Sequence, residues 1–193
     1  MPGSLPRQAA WRHVGARDGF EVTFVTEVDD GLCFAGATSA VEEGRAWAVS
    51  YTILVDPRSW ATRNARLRTQ SNAGEHVLEL STDGVGNWRV DSRPAALLRG
   101  CLDVDLESSA LTNAFPAHRL ELPVGQGAEA PAAYVRAEDL RVERLQQRYV
   151  RLHNGGPGLR FQYQAPVFDF ECELVYDDSG LLLDYPGIAV RAA

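Results

Sequence analysis

The chain has 193 residues, a formal net charge of −7 and 45% hydrophobic residues, enough apolar material for one sizeable core. The acidic balance works against a nucleic-acid partner, because such binding draws most of its affinity from phosphate neutralisation. All 19 basic residues are arginine, which removes Schiff-base lysines, the phosphate-loop lysine and any Ser-Lys dyad.

The N-terminal segment carries no signal-peptide core, and no window reaches the roughly 20 apolar residues that span a bilayer. Phe20, Val22, Phe24 and Val28 then alternate with Glu21, Thr23 and Glu27, which predicts a strand with its apolar side buried, closed by the turn Asp29-Asp30-Gly31. Trp47, Val49, Tyr51, Ile53 and Val55 form a second bulky face that ends at Asp56-Pro57. A hairpin turn follows at Asp83 to Asn87, and Pro94 to Arg99 makes a helical turn stopped by Gly100. Ser108 is placed to cap a short helix through Phe115, ending before Pro116. Pro123 to Ala133, rich in Gly, Ala and Pro, reads as a mobile excursion. In Asp139 to His153 the apolar residues change phase near Glu143, so a bulged strand is expected. Leu159, Phe161 and Tyr163 give another alternating run. Phe168, Phe170, Cys172, Leu174 and Tyr176 give the last, with Cys172 as a small buried apolar residue before the turn Asp177 to Gly180. The short connections leave no room for crossover helices, so antiparallel hairpins and meanders in one domain over residues 1–193 are expected. Cys33, Cys101 and Cys172 form neither a disulfide framework nor a zinc knuckle, which predicts three free thiols and a cytoplasmic location.

Asp103 and Asp105 lie two apart on a strand and therefore share a face opposite Leu102, Val104 and Leu106. The readings that stay open are hydrogen bonding to sugar hydroxyls, an acid and base pair of the inverting-glycosidase kind, and a solvated strand face or a structural pairing with Arg119 or Arg148. Asp105 with Arg119 and Asp103 with Arg148 are the natural pairs. Asn113 suits a sugar hydroxyl or the backbone groups of a helix end, and His118 reads as a packed core histidine. Trp47, Trp60, Trp88, Tyr149, Tyr163 and Tyr185 have flat faces able to stack on sugars or line an apolar channel; Tyr149 and Tyr185 adjoin polar motifs. His13, His76, His118 and His153 show no metal-ligand spacing, and neither a nucleophile elbow nor a dinucleotide fingerprint is present, so neither metal nor cofactor is expected.

Several of these residues also carry a likeness. Asp103 to Leu106, Thr112-Asn113, Pro116, Arg119-Leu120, Gln147-Arg148-Tyr149 and Asp177 through Gly187, with Trp88 upstream, recur in one order over most of the chain. In these motifs the sequence resembles the glycolipid-binding family of bacterial proteins. The resemblance implies a mainly β fold, a spiral β-roll or incomplete barrel in which one strongly curved antiparallel sheet wraps around a short helix. It also implies homodimers and a distant likeness to lipoprotein carriers that hold acyl chains. On this basis the chain is expected to bind a glycolipid or sugar, with the apolar tail in the curved sheet and a polar mouth of Asp103, Asp105, Asn113, Arg119, Gln147, Arg148 and Tyr149. Thr112 and Tyr185 are expected to bind the ligand with them. The alternatives are a carbohydrate-active enzyme using Asp103 and Asp105, and a structural homodimer without a small ligand.

Overall fold

The computed structural model describes residues 4–15, 17–155 and 158–193. Long strands come first: β1 (Gln8–His13), β2 (Asp18–Val28), β3 (Gly31–Glu42), β4 (Arg45–Val55), β5 (Thr62–Ser71) and β6 (Gly74–Thr82). Shorter ones follow: β7 (Trp88–Val90), β8 (Arg93–Pro94), β9 (Asp103–Leu106), β10 (Gly127–Glu129), β11 (Ala132–Val135), β12 (Val142–Leu145) and β13 (Arg148–Arg151). The chain closes with β14 (Arg160–Ala165), β15 (Phe170–Tyr176), β16 (Leu182–Tyr185) and β17 (Ala189–Arg191).

Fourteen strands make one antiparallel sheet in the order β10-β13-β14-β15-β16-β17-β1-β2-β3-β4-β5-β6-β7-β8, whose two edge strands do not pair with each other. The sheet is therefore curved but open. A second sheet of β12, β11 and β9 lies apart from it, and β9 pairs with β11 in parallel, a pairing the hairpin logic did not anticipate. Thr62 of β5 ties β9 to the large sheet: its amide donates to Leu102 O and its hydroxyl accepts from Val104 N.

One short helix, α1 (Ala114–Leu120), occupies the interior, entered through a 3-10 turn over Leu111–Asn113. Strands far apart in sheet order meet it. Phe34 of β3 packs on Phe115 at 5.3 Å between ring centroids, and Tyr149 of β13 and Tyr176 of β15 both bond to Asn113. This is the wrapped arrangement that the family likeness implies. The helix begins five residues later than a Ser108 cap would set it and runs through Pro116 to Leu120. Pro116 lies in the first turn, where its missing N–H has no intrahelical acceptor and its fixed φ suits the helix.

Other expectations are corrected. On β2 the faces are inverted: Phe20, Val22 and Phe24 point outward at 45%, 36% and 55% exposure, while Glu21 and Thr23 are buried. The reason is the loop before the 3-10 turn, whose backbone needs partners inside; Glu21 accepts from Ala110 N at 2.7 Å, and Thr38 of β3 donates to Ser108 O at 2.7 Å. The stretch 139–153 is no single bulged strand, because β12 and β13 belong to different sheets. The stretch 123–133 contains β10 and the start of β11, and Ala130, Ala132 and Ala133 are buried where strands approach closely. Phe168 lies exposed in a 3-10 turn and Cys172 is half-buried. Trp47 on β4 and Trp88 on β7 are buried, so neither offers a face to a ligand. The three cysteines are free, and no described helix is long and apolar enough to cross a membrane.

Candidate functional site

The carboxylates of β9 point into the molecule. This strand is buried on both sides: Val104 and Leu106 join the core, and Asp103 and Asp105 face the helical segment at 1% and 7% exposure. The solvated-face reading fails because β9 is covered by the large sheet through Thr62 and by the 3-10 turn and α1 on the other side. Both aspartates find partners on that segment. Arg119 clamps Asp103 with Nε on Oδ1 at 3.1 Å and Nη2 on Oδ2 at 2.5 Å, a two-pronged geometry that suits a buried carboxylate. Arg119 thus takes Asp103 in place of the expected Asp105. Arg148 instead meets Glu129 at 3.2 Å on the exposed edge, where neighbouring strands β10 and β13 place them opposite each other.

Thr112 donates to Asp105 Oδ1 at 2.9 Å and accepts from Leu106 N at 3.2 Å, which orients the carboxyl. No described donor reaches Asp105 Oδ2. Burial pushes this carboxyl up to about 6, opposed by the Thr112 hydrogen bond and reinforced by the charges of Asp103 and Glu107. For Asp103, burial also raises the carboxyl, but Arg119 opposes it and keeps an ion pair in place.

Asp105 lies on the wall of a cavity of about 250 Å³ between the two sheets, shared with Ser109, Asn113, Tyr134, Tyr163 and Tyr185. Asn113 sits at the N-terminus of α1 but makes no capping bond. Its Oδ1 accepts from Tyr149 Oη at 3.0 Å, its carbonyl accepts from Tyr176 Oη at 3.1 Å, and its amide nitrogen has no described acceptor. Gln147 accepts from Tyr163 Oη at 2.9 Å and so braces the cavity wall from behind. Tyr185 packs edge-on against Tyr163 at 6.0 Å. Phe168 and Phe170 line the apolar side, and Arg17 and Arg136 stand near Glu107.

Of the nine residues singled out from sequence, Asp105, Asn113 and Tyr185 line this cavity. Thr112, Tyr149 and Gln147 hold those groups or the wall in position, Asp103 and Arg119 form a buried pair behind them, and Arg148 stands apart. His118 is a packed residue, as expected, though on α1 and stacked on Trp60. Sequence reasoning missed Glu21, Ser109 and Tyr134. The fully buried Glu21 accepts from Tyr51 Oη at 2.7 Å, from Ser109 Oγ and from Ala110 N, and so anchors the loop that bears Ser109. Its burial raises the carboxyl while those hydrogen bonds oppose the shift. No local signal marks it, since its neighbours have the periodicity of an ordinary amphipathic strand.

A family model described as Putative glycolipid-binding matches residues 8–191. No curated protein matches. A DUF1089 family protein from Pseudomonas aeruginosa, known from a crystal structure, is 31% identical, with a TM-score of 0.76 over 92% of this chain and 93% of that one. A beta-barrel-like protein of the domain of unknown function DUF1849 from Brucella abortus has a TM-score of 0.55 over 95% of this chain and 93% of that one, at 10% identity, and shares the fold alone. With almost the whole chain inside one family model, and a relative of the same architecture at 31% identity, this protein belongs to the family described as Putative glycolipid-binding.

Proposed function

We propose that the chain binds a sugar-bearing amphiphile head first, with sugar hydroxyls against Asp105 and Asn113 and the apolar part along Phe168 and Phe170. One observation carries this reading: two buried residues, Asp105 with a carboxylate oxygen and Asn113 with an amide nitrogen that have no described protein partner, line the same cavity. An acceptor and a donor on one cavity wall suit sugar hydroxyls, each of which both donates and accepts. The orientation reverses the one expected from the sequence. A space of about 250 Å³ bordered by a carboxylate suits a sugar-sized head more than a hydrocarbon tail. The reading keeps a cytoplasmic location, in line with three unpaired thiols. An acid and base pair of Asp103 and Asp105 is disfavoured, because Arg119 occupies both oxygens of Asp103.

Thermal shift and native mass spectrometry with octyl glucoside, glucose and octanol test this function. Octyl glucoside is expected to bind more tightly than either half alone and to lose affinity in Asp105→Asn and Asn113→Ala. Absence of a shift and of retained ligand across a panel of alkyl glycosides sinks the reading.

We further infer a homodimer through the outer face of β2 and β3. Phe20, Val22 and Phe24 form an exposed ridge, and the register sets Ser39, Ala37 and Ala35 directly beside it as a flat strip. A ridge and a strip on one face complement their own two-fold copy. Light scattering is expected to give a dimer for the native chain and a monomer for Phe24→Glu; a native monomer at tens of micromolar excludes this interface.

A further inference from the structure

A second and larger cleft, of about 790 Å³, opens at the far end of α1 and falls within the usual size range of small-molecule sites. Its walls include Trp60, Leu122, Leu159 and Phe161. Trp60 has a φ of 57°, a left-handed conformation that bulky residues rarely adopt. The loop holds it there: its amide donates to Asp56 O at 2.8 Å, and its ring stacks on His118 at 3.6 Å with the planes 3° apart. A half-buried indole kept in a strained backbone gives the cleft a rigid flat wall.

Arg151 supplies the polar end of the cleft and is only 7% exposed. Its guanidinium donates to the carbonyls of Leu152 and Arg160 and to Asn154 Oδ1 at 2.6 Å, and lies 5.4 Å from the Phe161 ring centroid. Of the half-buried arginines, Arg17, Arg119, Arg136, Arg148, Arg160 and Arg191 each meet a carboxylate, while Arg144 meets Arg99 O and Cys101 Sγ; Arg151 is more deeply buried than any of them. Among the described residues Arg151 meets no carboxylate. Burial lowers its pKa, with no carboxylate opposing the shift. A largely buried cation without a counter-charge is unfavourable, and an incoming anion relieves it. Glu121 and Asp178 also border the cleft, but both are exposed, where water and salt screen them.

We propose that this cleft is a second ligand site for an anionic acyl amphiphile, its carboxylate or phosphate on Arg151 and its chain along Trp60, Leu122, Leu159 and Phe161. The site is independent of the Asp105 cavity. Asn113 borders that cavity at the start of α1 and Glu121 borders this cleft just beyond its end, about 12 Å away at the rise of a helix.

The test titrates the full chain with dodecanoate, dodecyl phosphate, dodecanol, acetate and inorganic phosphate below micellar concentrations, reading tryptophan fluorescence and melting temperature. Trp11, Trp47 and Trp88 are at most 3% exposed, so a fluorescence change reports on Trp60 and is expected to vanish in Trp60→Phe. Either dodecyl anion is expected to bind at least about tenfold more tightly than dodecanol and than the small anions. Arg151→Gln is expected to remove that preference, and Asp105→Asn to preserve it, which separates failure here from failure of the sugar-head reading. Should Arg151→Gln not fold, Leu159→Glu puts a like charge in the cleft and is expected to abolish dodecanoate binding. Equal binding of dodecanol, equal binding of acetate or phosphate, no binding of either dodecyl anion, or binding unchanged by these cleft variants overturns the proposal.

Discussion

Two regions use the same Arg–carboxylate chemistry in opposite surroundings. On the outer face of β5 and β6, Arg68 meets Glu75 at 2.7 Å with both side chains about half exposed. Inside, Arg119 meets Asp103 with 14% and 1% of the side chains exposed. Water has already solvated the first pair, so its removal changes little; the second has been stripped of water, and either ion alone is then unsupported. The difference follows the two parts of the chain. Long strands β2 to β6 form a regular scaffold that buries one carboxylate, Glu21, whereas β9 and α1 turn Asp103, Asp105 and Arg119 inward and build the candidate site.

The largest effect is expected where that contrast is sharpest. Arg119→Ala leaves the Asp103 carboxylate buried without its partner and should cost about 3–5 kcal/mol in urea unfolding. A loss under 1 kcal/mol would remove the distinction between the regions. Glu21→Ala tests the charged link from the scaffold to the site loop, which Thr38 also holds through Ser108 O. Losing the bonds from Tyr51, Ser109 and Ala110 should cost roughly 3 kcal/mol and reduce octyl glucoside affinity as Ser109 moves; stability near that of the native chain would mean the loop is held elsewhere.

Asp105→Asn is expected to act in the opposite direction. The folded chain holds the Asp105 proton up to about pH 6, whereas the unfolded chain releases it near the ordinary value of 3.8. Folding therefore binds a proton between those values, and stability falls as pH rises from about 4 to 6 and stays lower above. Replacing the charge should stabilise the chain by about 1–3 kcal/mol at pH 7.5, with the gain gone below pH 4. Affinity for octyl glucoside should drop in the same variant. A pH-independent difference would show that ionisation of Asp105 is not the cause. The smallest effect belongs to the scaffold: Arg68→Ala should stay within about 0.5 kcal/mol of the native chain, and that gap should narrow further in 1 M salt.

Local pattern made part of this molecule legible. The alternation in β4, in β14 and at Leu174 and Tyr176 of β15 named the buried residues correctly, and the turns at Asp29 to Gly31 and Asp83 to Asn87 close hairpins as their residues require. The site was visible as a set of polar residues, but its pairing was not. Arg119 turned to Asp103 instead of Asp105, and Arg148 to Glu129, because α1 and β10 settle which groups are adjacent and neither adjacency has a trace in residue spacing.

Alternation and turn chemistry thus determined that the chain is mainly β and antiparallel, since side-chain period and short connections act within a few residues. Tertiary structure alone decided which side of β2 faces inward, that β9 leaves the large sheet, and that Asp105 borders a cavity while Asp103 is neutralised. Those outcomes depend on which distant backbone and charged groups must be matched once water is excluded. Residue order specifies that matching only through the whole fold.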